Sequence, residues 1–189
     1  MFVFAKEYFH PFNPTPLKYK PLIMVGPSGV GKNTLRDKVL EKYGGLFEPK
    51  VSYTTRPGKA IEKKKENYYF ITKEEFMKRL EKQEFVEHGE INGHLYGTTY
   101  AELERIKAKG KIPLIEVDVK GAIKINERAI EGNFLFVYPP SFEELRDRLG
   151  QRIETEEEFK LRIQNALKEI ELANNSVLFT NRLVNADID

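Results

Sequence analysis

The chain has 189 residues, no cysteine, and 31 Lys and Arg against 29 Asp and Glu, for a formal net charge of +2. That length suits one domain with a sizeable core, and the missing thiols exclude a disulfide framework, a thiol nucleophile and a cysteine-based zinc site. The near-balanced charge gives no general case for nucleic acid or an anionic membrane, no apolar run approaches the ~20 residues of a membrane span, and the apolar start is too short for a signal peptide. A cytoplasmic enzyme is expected.

Residues 1–20 are rich in aromatics and proline and show neither helical nor strand period, so they read as an N-terminal extension. The apolar run Leu22-Ile23-Met24-Val25 reads as a strand. It leads into Gly26-Pro27-Ser28-Gly29-Val30-Gly31-Lys32-Asn33-Thr34, and a helical pattern follows from Leu35 to Tyr43, stopped at Gly44-Gly45. Residues 47–55 read as one strand running into a turn at Arg56-Pro57-Gly58, and the charged stretch 59–67 as a hairpin or solvated loop. Tyr68-Tyr69-Phe70-Ile71 is a strand, and Thr72-Lys73-Glu74-Glu75 opens a helix with a capping box. Short strands at Phe85-Val86-Glu87 and His94-Leu95-Tyr96 flank the hairpin turn Asn92-Gly93. Thr98-Thr99 caps a helix ending near Gly110, residues 112–118 form a buried strand, 120–129 a helix and 133–137 another apolar strand. Ser141-Phe142-Glu143-Glu144 starts a helix reaching Leu149, and 150–156 is a polar break. Residues 157–174 are a long amphipathic helix with Phe159, Ile163, Leu167 and Ile170 on one stripe, and 182–184 a last short strand.

This alternation predicts an α/β fold with a parallel sheet wound by helices. Residues 51–98 break the alternation with short strands, and read as a mixed insertion over the carboxyl edge of the sheet, where ligands of such folds sit.

Strand, glycine-rich turn, lysine and helix, in that order, are the parts of a P-loop. Glycines let backbone N–H groups converge on phosphate oxygens, the lysine adds a mobile charge, and the helix N-terminus supplies a favourable dipole. The position after Lys32 should carry a hydroxyl for a metal ion, and it is Asn33. Its amide oxygen is a weaker ligand than a hydroxyl, so metal affinity is the open point.

Beyond the loop, Ser52-Tyr53-Thr54-Thr55-Arg56, Tyr68-Tyr69-Phe70, Phe85-Val86-Glu87, Tyr96-Gly97-Thr98, Glu116-Val117-Asp118-Val119-Lys120-Gly121, Pro139-Pro140-Ser141 and Val184-Asn185-Ala186-Asp187 follow in order. With Gly26-Pro27-Ser28-Gly29-Val30-Gly31-Lys32, this series resembles the guanylate kinase family over residues 21–189. The resemblance implies a P-loop kinase fold: a core at 21–50 and 99–189, a GMP-binding insertion at about 51–98 and a short helical lid at about 148–160. It implies transfer of the γ-phosphoryl of ATP to GMP or dGMP, with Mg²⁺. The family ordinarily continues into a closing helix beyond the position of Asp189.

By position, the resemblance assigns the GMP phosphate to Arg56, Tyr68 and Tyr96, with Ser52 alongside. Lys59 replaces a second family arginine, keeping charge but losing the bidentate fork. Guanine falls to Glu87, Thr98 and Asp118. A carboxylate suits guanine's adjacent N1–H and 2-amino donors and would repel the N1 acceptor of adenine. ATP falls to the loop Gly26, Pro27, Ser28, Gly29, Val30, Gly31, Lys32, Asn33 and Thr34, to Arg152 and to Asn185, with Lys32, Arg148 and Arg162 catalytic and Asn33 the metal position. The acceptor is itself an anion, so His10, His88 and His94 are left as ordinary residues. A monomer with no nucleic-acid or membrane partner is expected. Two rival readings stand beside this one: a guanylate-kinase-like module that binds phosphorylated ligands without catalysis, and a kinase of another nucleotide.

Overall fold

A computed structural model describes residues 20–58, 68–91, 93–151 and 155–186. Strand β1 (Leu22–Val25) runs through the centre of a five-stranded parallel sheet. Its neighbours are β7 (Ile112–Val117) and β8 (Asn133–Tyr138), with β2 (Phe47–Pro49) and β9 (Asn181–Val184) at the edges. The three inner strands, β1, β7 and β8, are mostly apolar because both faces are covered, whereas the edge strands β2 and β9 are more polar and more exposed. On one face Ile23, Val25, Ile115 and Phe136 pack against helix α4 (Val119–Glu127) and the end of α6 (Glu156–Asn174) through Ala122, Ile125 and Ala173. On the other, Met24, Leu114 and Val137 meet α1 (Lys32–Tyr43) through Leu35 and Val39. Alternate residues of one strand thus enter opposite layers.

A second, four-stranded sheet has the order β4-β3-β6-β5. It consists of β3 (Ser52–Thr54), β4 (Tyr68–Phe70), β5 (Phe85–Ile91) and β6 (His94–Thr99), with α2 (Lys73–Glu81) between β4 and β5. Helix α3 (Tyr100–Ala108) leads back to β7, and α5 (Phe142–Gly150) follows β8. The expected hairpin is present: β5 and β6 pair antiparallel, Ile91 opposite His94, and Gly93 takes φ +75°. Both strands run past the three residues predicted for each.

Three expectations are corrected. Residues 47–55 are not one strand; the chain leaves one sheet and enters the other at Lys50 and Val51. Lys50 N still donates to Leu114 O (3.0 Å), but Val51 N donates to the Glu102 carboxylate (2.8 Å), and that side chain ends the ladder. Strands β3 and β4 pair parallel, Ser52 opposite Tyr68, so of the two alternatives expected between them, a hairpin or a solvated loop, the hairpin is set aside. Leu167, expected on the buried stripe of α6, is 46% exposed; Ala166 and Ala173 lie inside with Phe159, Ile163 and Ile170. Two successive steps of four, from Phe159 through Ile163 to Leu167, drift off the 3.6-residue period, whereas the alternating four-and-three steps through Ala166 and Ala173 follow it. The stretch 59–67, most of the 1–20 extension and Asn92 lie outside the described residues.

Candidate nucleotide site

Five of the six helices among the described residues begin under a side-chain cap, from Thr72, Thr99, Asp118, Ser141 or Thr155. Helix α1 begins at Gly31 with none. Its first-turn N–H groups therefore keep their donor capacity for a ligand, at the positive end of the helix dipole. Two glycines are required by geometry. Gly26 has φ +154°, and a Cβ there would stand 2.6 Å from Val137 O; Gly31 has φ +95°, and a Cβ would stand 2.4 Å from Asn185 Nδ2.

Lys32 curls over the loop, its Nζ donating to Gly26 O (2.5 Å) and Pro27 O (2.9 Å). Burial lowers its pKa, opposed by the charges of Glu169, Glu116 and Asp118. Asn33 is exposed at the helix start, with Thr34 half-buried beside it. Asn185 lies behind the loop, 4% exposed: Nδ2 donates to Val30 O (2.9 Å) and its backbone N to Tyr138 O (2.9 Å). It braces the loop from beneath.

Arg148 donates through Nε to Glu144 (2.8 Å) and through Nη2 to Asn185 O (3.4 Å), while Nη1 is buried without a partner among the described residues. Arg162 is held by Glu158 (2.7 Å), and its Nη1 reaches Ser28 Oγ of the loop at 3.5 Å. Both arginines thus converge on the P-loop from different helices. Arg152 and Lys59 lie outside the described residues.

Three carboxyl groups border the same place. Glu116, the single acid of β7, accepts from Arg36 Nη1 (3.0 Å) through Oε2, while its Oε1 is buried and unpartnered among the described residues. Asp118 caps α4 by accepting from Gly121 N (2.7 Å). Glu169 accepts from Val119 N (3.4 Å); burial, with the charge of Asp118, raises its pKa to about 7, against the opposing pull of Lys32. No group of three or more His, Asp or Glu that could hold a metal alone occurs among the described residues. Hard oxygen donors are nonetheless on offer, the Asn33 amide and the free Glu116 oxygen. They fit a divalent cation that takes most of its ligands from phosphates and water.

The second sheet gathers the remaining positions. Glu87 is 8% exposed, and its Oε1 accepts from Thr98 Oγ1 (2.5 Å), whose oxygen lies 3.5 Å from Ser52 Oγ. The rings of Tyr68 and Tyr96 meet edge to face at 5.9 Å, and the Arg56 guanidinium lies over Tyr68 at 5.6 Å. Thus β3, β4, β5 and β6 each contribute to one polar wall, and Asp118 stands apart from it on the core sheet.

Sequence reasoning passed over Arg36, Lys50, Glu102 and Glu169. Glu116 entered it only as part of a motif, although one acid in an otherwise apolar strand is itself a signal. A residue such as Glu169, among the many acids of a long helix, carries none.

The guanylate kinase family model matches residues 18–189. A guanylate kinase of Clostridium perfringens (strain SM101) is 42% identical over 150 residues, 79% of this chain and 69% of that protein. That of Schizosaccharomyces pombe is 36% identical over 174 residues, 92% and 86% of the two chains, and that of Homo sapiens 34% over 171 residues, 90% and 87%. Among solved structures, a guanylate kinase from Anaplasma phagocytophilum superposes with a TM-score of 0.64 at 30% identity, over 92% of this chain and 81% of that one.

Proposed function

The chain belongs to the guanylate kinase family, and from that premise we infer that it is an ATP:GMP phosphotransferase, moving the γ-phosphoryl of ATP to GMP or dGMP. Within the site, the observation that carries this reading is Glu87: a carboxylate buried beside the Thr98 and Ser52 hydroxyls, suited to adjacent N–H donors of a base. The base lies against Glu87 and Thr98, with Asp118 approaching from the core sheet. Arg56, Tyr68 and Tyr96 hold the GMP phosphate, with Ser52 alongside and Lys59 adding charge. These strands and their connections, at about 51–98, act as the acceptor-binding insertion, and 148–160 as the lid.

On the donor side, the α1 N-terminus and the loop 26–34 cradle the ATP phosphates, with Arg152 adding charge. Asn185 supports the loop through Val30. Lys32, Arg148 and Arg162 stabilise charge on the transferring group; the free Nη1 of Arg148 offers N–H donors for phosphate oxygens. The acceptor phosphate is already anionic, so alignment and charge neutralisation replace a general base. A divalent cation, Mg²⁺ in this reading, supplies further neutralisation of the ATP phosphates, with Asn33 and Glu116 as the donors the chain offers. Closure over both substrates excludes water and limits ATP hydrolysis. A monomer in the cytoplasm meets every requirement, with neither nucleic acid nor membrane.

A coupled assay with ATP and Mg²⁺ tests this against GMP, dGMP, AMP and UMP. Turnover of GMP and dGMP alone is expected. Binding of GMP with no turnover of any nucleotide would overturn the enzyme reading in favour of a phospholigand-binding module.

A further inference from the structure

The base pocket contains a cation that neither the motifs nor the comparisons assign. Lys50 stands where the chain passes between the two sheets, its backbone fixed by the bond to Leu114 O. Its side chain does not run to solvent: it is 14% exposed, its Nζ donates to Ser52 Oγ, and it stands 3.8 Å from Glu87 Oε1. We propose that Lys50 is a specificity-determining residue of this pocket, donating from its ammonium to the 6-oxo group of guanine while Glu87 takes the N1–H. The proposal rests on the GMP-kinase reading above.

Both of the contacts described for Glu87, from Thr98 and from Lys50, fall on Oε1, which leaves Oε2 for donors of the base. An ammonium has three donors; Ser52 accepts one of them, and the Glu87 carboxylate at 3.8 Å is an ion-pair partner beyond hydrogen-bond distance. Guanine carries its acceptor O6 beside its donor N1–H. A buried ammonium next to a buried carboxylate is the complement of that edge. Adenine presents an amino group and a bare ring nitrogen there, so both charged groups would meet the wrong polarity. A lysine kept only to balance Glu87 would make the same contacts, and the ligand tells the two roles apart.

The test compares GMP with 6-thio-GMP, in which a weakly accepting sulfur replaces O6. Steady-state kinetics and calorimetric binding are measured on the unaltered protein and on Lys50→Met and Lys50→Arg. The unaltered protein should prefer GMP by about tenfold in KM, the worth of one charge-assisted hydrogen bond. In Lys50→Met, KM for GMP should rise about tenfold with kcat within about twofold, and the preference over 6-thio-GMP should fall toward unity. Lys50→Arg should retain part of the preference.

Equal losses for both nucleotides, with the ratio intact, would show that Lys50 merely supports Glu87 and would overturn the proposal. So would an unaltered protein that does not distinguish the two nucleotides, a measurement that needs no variant to fold. If the unaltered protein turns over no GMP at all, the parent reading fails and this one goes with it; intact GMP turnover without 6-oxo discrimination defeats this one alone.

Discussion

Each side of the site turns on a few atoms. Gly31 combines φ +95° with a would-be Cβ 2.4 Å from Asn185 Nδ2, the atom that holds Val30 O. Gly31→Ala therefore strains the backbone and dislodges the brace together, at a cost of about 1–3 kcal/mol in stability. The ATP KM should rise at least about tenfold while GMP affinity, measured by calorimetry, stays put. Asn33→Ser places a hydroxyl where the loop offers an amide, and a Mg²⁺ titration of the rate should show saturation at lower metal concentration. Unchanged kinetics would remove position 33 from the metal's ligands. Glu169 gives a pH dependence. Its pKa is raised from 4.5 to about 7 on folding, mainly by burial, so its contribution to stability is complete below about pH 4.5 and is lost as pH rises through 7. Glu169→Gln should match the parent near pH 4.5 and exceed it at pH 8 by on the order of 3 kcal/mol in urea unfolding. The same change removes a charge that favours protonated Lys32, facing it with Glu116 and Asp118. The alkaline limb of kcat/KM for ATP should then move to lower pH.

At the scale of elements, what can be read from sequence depends on whether the cause is local. The caps at Thr72, Thr99 and Ser141 fall where a Ser or Thr precedes an acidic helix start, and the uncapped α1 where glycines precede a lysine. Both are statements about adjacent residues. The parallel pairing of β3 with β4 and the passage between sheets at Lys50 and Val51 depend on partners far along the chain, and no local pattern announces them. The same divide runs through the site: Lys32, Arg56 and Glu87 stand in motifs, whereas Lys50 and Glu169 matter through neighbours brought by the fold. Glu102 shows the energetic side. It is 3% exposed, accepts from Val51 N, and is gripped by Arg105, which also holds Glu48 at 2.7 Å. Glu102→Ala strands the Val51 backbone donor at the junction of the sheets and leaves Arg105 with Glu48 alone, and should cost about 1–3 kcal/mol. Glu102→Gln, which can still accept from Val51 N, should cost less. A shift in the urea midpoint at constant slope checks both.

For the molecule as a whole, the question is whether the second sheet is a separate body or part of one cooperative unit. Val86 of β5 lies in the same buried cluster as Val119, Ala122 and Ile125 of α4, and Lys124 Nζ of that helix donates to His88 O of β5 at 2.6 Å. The chain junction adds the Glu102 bond to Val51 N. A wall joined to the core by shared apolar packing and by directed bonds at two places cannot melt without exposing core residues, so unfolding should be a single transition. GMP, although it would touch mainly the second sheet, should then stabilise the whole chain. At a concentration about a hundredfold above its Kd the gain is roughly 2.7 kcal/mol, which for a chain of this size is a rise in Tm of about 5–10 °C. Scanning calorimetry with and without GMP reads this directly. One endotherm moving as a unit is the expected result; two endotherms, of which GMP moves only one, would mean that the second sheet unfolds independently of the parallel-sheet core.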